Sequence, residues 1–210
     1  MDLRAFAGHS DNGMSDDFPV LALACSMGGL DALAQVLEPL PAGFPAAVIA
    51  LQHLEPERSS HLPALLGART ALPAAFAVEG EPLLPGRIVV APAGQHTLIT
   101  AERRIALIPS GALPPYRPSA DLLLTTLAIA VGARLIAVVL SGNGNDAATG
   151  ATAVHHFGGT VIASTPATST APAMPGATID RDHAVDHVVP LADLAGLLIA
   201  MVSMPRLPAA

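Results

Sequence analysis

No lysine and no tryptophan occur in this sequence, cysteine and tyrosine occur once each, and only 3% of the 210 residues are aromatic. Without lysine there is no P-loop phosphate cradle, and no G-x-G-x-x-G run marks a dinucleotide site. The net charge is −7 and all 10 basic residues are scattered arginines, so the basic patch of a phosphate-backbone binder is missing and no nucleic-acid partner is expected. The lone Cys25 excludes an internal disulfide and suits a reducing compartment. No apolar run reaches the about 20 residues that span a bilayer. The segment from Leu194 to Met204 is too short, contains Gly196 and Ser203, and reads as a terminal helix packed on the domain. The acidic stretch before Phe18 lacks the apolar centre of a secretory signal. A cytoplasmic protein without membrane insertion is the expectation.

What is present is an apolar fraction of 51%, enough for one sizeable core built from Ala, Leu, Val and Ile. Short β-like runs alternate with helical stretches. Strands are expected at Val20–Cys25, Ala46–Leu51, Ala74–Val78, Ile88–Ala91, Leu135–Leu140, Thr160–Ala163 and Ala184–Val189. Helices are expected at Leu30–Leu40, Ser60–Ala68, Ala120–Val131, Ala147–Phe157 and Leu191–Val202, with Ser59 or Ser60 and Ser119 as caps and Gly132 and Gly158 as stops. The pattern predicts a single doubly wound α/β domain, a mostly parallel sheet with helices on both faces. Thr97–Thr100 and Arg104–Ile108 add a small antiparallel hairpin, and Thr165–Pro175 reads as a loop.

Three residues stand just past the ends of expected strands, where parallel α/β sheets place their chemistry. Ser26 ends the run Val20–Cys25 and precedes Gly28-Gly29. That turn suits a nucleophile, a bound phosphate or tight packing. His53 follows Ala47–Gln52 and could take the Ser26 proton, or simply end a strand. Asp146 closes the loop Ser141-Gly142-Asn143-Gly144-Asn145 and could orient His53, or cap the helix that follows it. The order Ser–His–Asp differs from the α/β-hydrolase, chymotrypsin and subtilisin orders, and no G-x-S-x-G occurs.

The same residues resemble the catalytic domain of the chemotaxis protein-glutamate methylesterases, the CheB family. The family's Ser-Thr-Gly-Gly is matched by Ser26-Met27-Gly28-Gly29, its Gln-His by Gln52-His53, and its Gly-Glu-x-Leu-x-Pro-Gly by Gly80–Gly86. Its Ile-Ala-Pro and following histidine are matched by Val90-Ala91-Pro92 and His96, and its Arg-Pro-Ser-Val-Asp by Arg117-Pro118-Ser119-Ala120-Asp121. Its Thr-Gly-Met-Gly-x-Asp-Gly becomes Ser141–Ala147, and its late Met-Pro is Met174-Pro175.

The resemblance implies a nucleophile at Ser26, a general base at His53 and an orienting acid at Asp146, with Met27, Gly28 and Asn143 in the oxyanion and pocket positions. It implies hydrolysis of glutamate γ-methyl esters on chemoreceptor helices, with glutamine deamidation as a related activity. The division is then a flexible tail over 1–17, a catalytic domain over 18–204 and a short tail over 205–210. Methylated chemoreceptor cytoplasmic helices are the implied partners, with room for a separate regulatory protein, because the stretch before Val20 is too short for the family's receiver domain. Met27 stands where the family has threonine, Asn143 where it has methionine, and Ala147 where it has glycine. These departures leave open a catalytically weak or inactive regulatory binding module.

Other candidates carry less. Cys25, as the last strand residue, should point away from Ser26 and be buried. His155 and His156 face different directions on a helix. His183 and His187 on one strand would lie about 13 Å apart, so no metal is expected, nor any other cofactor. His96 is placed on a loop without a role. Arg117, Pro118 and Asp121 are expected to shape the pocket mouth or cap the next helix.

Overall fold

The computed structural model describes residues 18–57, 60–111 and 116–203. Both expected tails, 1–17 and 205–210, lie outside the described residues, as does Ser59. The chain runs β1 (Val20–Cys25), α1 (Gly29–Leu37), β2 (Ala47–Gln52), α2 (Leu62–Gly67), β3 (Ala74–Phe76) and β4 (Ile88–Val90). It continues through the hairpin β5 (Gln95–Ile99) and β6 (Ile105–Pro109), then α3 (Ala120–Val131), β7 (Leu135–Val139) and α4 (Ala148–His156). The last elements are β8 (Thr160–Ser164), α5 (Ala173–Ile179), β9 (His187–Val189) and α6 (Leu194–Ser203). The main sheet has seven strands in the order β3-β4-β2-β1-β7-β8-β9, and every pairing in it is parallel. The hairpin forms a separate antiparallel pair. This is the doubly wound α/β architecture the alternating pattern predicts.

Strand alternation divides the core in two. Val20, Ala22 and Ala24 of β1 join Ile49, Leu51 and Val139 and meet α3, α4 and the hairpin on one face. Leu21, Leu23 and Cys25 join Val48, Ile136 and Val138 and meet α1, α2 and α6 on the other. All six residues of β1 are buried, as a central strand covered on both faces requires. Burying each large aliphatic side chain contributes about 1.5–3 kcal/mol, so a core this poor in aromatics depends on close helix contact. Gly150 provides one such contact, since a Cβ there would lie 2.6 Å from Leu124 Cβ across the α3–α4 interface.

Several boundaries move. The expected strand Ala74–Val78 ends at Phe76. The expected strand Ala184–Val189 begins only at His187, because Asp182 and His183 take left-handed φ angles of 53° and 52° in a turn. The expected loop Thr165–Pro175 contains a 3-10 turn at Pro166–Thr168 and the start of α5. Pro175 hid that helix, yet it sits in the first turn, where no intrahelical donor is required. The helix expected from Ser60 starts at Leu62, with the Ser60 hydroxyl accepting the Leu62 N–H at 3.2 Å. His96 lies within β5 and not on a loop, because the hairpin begins two residues earlier than its apolar run.

Candidate active site

Parallel pairing puts Ser26 and His53 beside each other. β1 and β2 align with Cys25 opposite Gln52, and the His53 N–H donates to the Cys25 carbonyl at 3.0 Å. Each next residue therefore leaves its strand at the same C-terminal edge. Alternation also sends Cys25 into the α1 face, where burial pushes its thiol far up and leaves it inert. Ser26 and His53 line one cavity of about 280 Å³ with Leu54, Glu55, Tyr116, Arg117 and Asn143.

The turn at Ser26 is held from several sides. The Ser26 N–H donates to the Ser141 carbonyl at 2.9 Å, and the Ser141 hydroxyl donates to the Met27 carbonyl at 2.8 Å. Gly28 caps α1 at φ 72°, and a Cβ there would lie 2.7 Å from Thr170 Cβ. Glycine is needed at this position on both counts. α1 then begins with its N–H groups at the edge where Ser26 sits, a setting that favours negative charge.

Asp146 unites the two uses considered for it. His53 Nε2 donates to its Oδ2 at 2.8 Å. The carboxylate also caps a helix, though not the one that follows it. The Ala120 and Asp121 N–H groups of α3 donate at 2.6 and 2.9 Å, and the Ser119 hydroxyl donates at 3.2 Å. Burial pushes this carboxyl up, but the bonds from His53, Ala120 and Asp121 outweigh it and hold the group below its usual range. Ala147, where the family pattern has glycine, sits at φ 84°, which explains the preference for glycine there.

Met27 and Asn143, the two departures beside Ser26 and in the aspartate loop, touch each other. Asn143 Nδ2 lies 3.6 Å from Met27 Sδ, and Met27 is 58% exposed. Two further residues carried no assignment from sequence. Tyr116 stacks on His53 with ring centroids 5.4 Å apart, and its hydroxyl donates to Asn145 Oδ1 at 2.8 Å and accepts the Asn145 N–H at 3.1 Å. His96 Nδ1 accepts the Ser119 N–H at 2.9 Å. The available sequence signals were the adjacency of Tyr116 to Arg117-Pro118-Ser119 and the match of His96 to the histidine of the family pattern. Asp121 does not cap its own helix; it accepts the Gly150 N–H of α4 at 2.7 Å, while Ser119 is the cap.

Among the described residues no group of three or more His, Cys, Asp or Glu side chains could hold a metal ion. His183 lies in a turn, and His155 pairs with Asp186 at 3.7 Å. Among the described residues no helix is long and apolar enough to cross a membrane.

Comparison with known proteins bears on these features. The CheB methylesterase family matches residues 21–198. The protein-glutamate methylesterase FrzG of Myxococcus xanthus is 35% identical over 187 residues, 89% of this chain and 56% of that protein. A protein-glutamate methylesterase/protein-glutamine glutaminase of Moorella thermoacetica is 35% identical over 195 residues, 91% of this chain and 46% of that protein. The chain thus spans about half the length of these curated relatives. The crystal structure of the Thermotoga maritima CheB methylesterase catalytic domain superposes with a TM-score of 0.83 at 30% identity, covering 88% of this chain and 99% of that one. Sequence and fold agree over the same span, and the chain belongs to the CheB methylesterase family.

Proposed function

We propose that this chain is a serine carboxyl-esterase that hydrolyses glutamate γ-methyl esters on the cytoplasmic helices of chemoreceptors. The observation that carries the reading is the His53–Asp146 bond of 2.8 Å, made at the strand edge where Ser26 opens into the same cavity. The names of the relatives support the ester as substrate.

In this reading Ser26 Oγ attacks the ester carbonyl while His53 takes its proton through Nδ1, the ring nitrogen that Asp146 leaves free. Asp146 stabilises the imidazolium through Nε2. The tetrahedral oxyanion rests against the Met27 and Gly28 amides at the start of α1, with Asn143 beside it. One such donor contributes about 10²–10³ in rate. His53 returns the proton to the leaving methoxide and methanol departs. Water, deprotonated by His53, then releases the glutamate and regenerates Ser26. Glutamine deamidation follows the same course with ammonia leaving. The enzyme acts in the cytoplasm, where the receptor helices are, and any regulation by a receiver comes from a separate protein or from sequence outside this chain.

Methanol release from methylated receptor membranes tests the reading, with Ser26→Ala and His53→Ala as controls. Release by wild type that both variants lose is the expected result. An inert wild type whose Ser26 still reacts with a fluorophosphonate would overturn the substrate, and absence of both would overturn the esterase.

A further inference from the structure

His96 takes no part in the proposed hydrolysis, yet it is tied to the acid that orients the base. It stands on β5, and its Nδ1 accepts the Ser119 N–H at 2.9 Å. A ring nitrogen that accepts an N–H carries no proton of its own, so in this bond His96 is the neutral imidazole with its proton on Nε2. Burial disfavours its charged form and outweighs the opposing pull of Asp146 and of the Ser110 carbonyl.

Ser119 is where this bond matters. It is the N-cap of α3, its hydroxyl bonds Asp146 Oδ1 at 3.2 Å, and the two amides after it bond the same carboxylate at 2.6 and 2.9 Å. The contacts therefore run from His96 to Ser119, from Ser119 and its neighbours to Asp146, and from Asp146 to His53 Nε2. The hairpin anchors the helix terminus through one imidazole, and the helix terminus fixes the carboxylate.

We infer that His96 is a positioning residue for Asp146, holding the Ser119 amide as a neutral acceptor so that the donors at the start of α3 set the carboxylate against His53. Its kinetic consequence rests on the esterase reading above, but its structural consequence does not. Removing the acceptor leaves the Ser119 N–H unpaired and loosens all three donors together.

The test uses His96→Leu, which removes the acceptor, and His96→Asn, whose Oδ1 stands at the same bond distance from Cβ as Nδ1. The leucine variant should lose about tenfold or more in kcat at unchanged KM, and the asparagine variant should recover most of it. In an Asp146→Asn background the leucine substitution should cost nothing further, because the two act in series. Equal loss in both His96 variants, or full additivity with Asp146→Asn, would overturn the inference. The imidazole N–H proton resonance of His53, bonded to Asp146, gives a readout independent of substrate. It should be present in wild type and in His96→Asn, and broadened or lost in His96→Leu. If wild type hydrolyses no methyl ester, that resonance alone decides: its loss in His96→Leu sustains the positioning role, and its persistence overturns it.

Discussion

His53 presents Nε2, not Nδ1, to Asp146, with 2.8 Å between Nε2 and Oδ2. The same carboxylate receives two amides from the N-terminus of α3. The carboxylate that holds the His53 ring thus also caps the start of a helix.

That double use sets the outcome of Asp146→Asn. The amide keeps the shape but loses the charge and can present an N–H where an acceptor is needed. We expect kcat to fall by about 10⁴ and the protein to lose about 1–3 kcal/mol, since charged hydrogen bonds are weakened at a buried site. Kinetics and thermal unfolding of the purified variant measure both.

Acid titration follows from the direction of the Asp146 shift. Burial raises this carboxyl, and the bonds from His53, Ala120 and Asp121 lower it further than burial raises it. A depressed folded pKa contributes stability above the unfolded value of about 3.9 and loses it as pH falls through the lower folded value. Asp121 runs the other way, raised by burial and by the Asp146 charge against the pull of the Gly150 amide. Its ionisation costs stability at neutral pH, and that cost disappears as pH falls through its raised pKa. Urea midpoints from about pH 7 down to about pH 3 should therefore decline less in Asp146→Asn than in wild type.

Gly142→Ala should displace Ser26, the proposed nucleophile, directly. A Cβ at this position would stand 2.8 Å from Ser26 Cβ and 2.6 Å from Met174 Sδ. Displacing Ser26 by about 1 Å is expected to cost about 10² in kcat, and the overpacking about 1–3 kcal/mol. Fluorophosphonate labelling rates and a melting curve separate the two effects.

Tyr116 stacks on His53, at 5.4 Å between centroids and 27° between planes. An aromatic pair of this kind contributes about 0.5–1.5 kcal/mol, so Tyr116→Ala should reduce kcat by about threefold to tenfold. Tyr116→Phe keeps the stack, loses only the bonds to Asn145, and should retain more activity. Methanol-release rates for the two variants rank the contributions.

Because Met27 and Asn143 are in contact at 3.6 Å, restoring the family residues one at a time should not give additive effects. Met27→Thr alone leaves Asn143 without its thioether partner, and Asn143→Met alone crowds two thioethers together. The double variant should exceed the sum of the singles in kcat/KM on methylated receptors, and a double-mutant cycle reads this directly.

Much of this was legible locally. Continuous apolar runs identified the central strands, and the glycines at 132 and 158 marked helix ends correctly, with C-terminal turns at φ 60° and 79°. Strand-end placement puts Ser26, His53 and Asp146 at one edge, and alternation alone separates Cys25 from Ser26. The failures have local causes as well. Pro175 masked α5, the left-handed turn at Asp182 and His183 cut the last strand short, and the polar start of β5 concealed that His96 belongs to a strand.

Sequence by itself determined the architecture and the edge at which the chemistry gathers, because apolar periodicity and strand parity act over a few residues. Only the tertiary structure decided what Asp146 meets. Its donors come from a helix that begins 26 residues earlier in the chain, its imidazole partner lies 93 residues away, and Met27 finds Asn143 across 116 residues. Such pairings depend on which strands become neighbours and on where each crossover helix returns to the sheet. The order β2-β1-β7 settles both, by placing three strand ends side by side and laying the start of α3 over them.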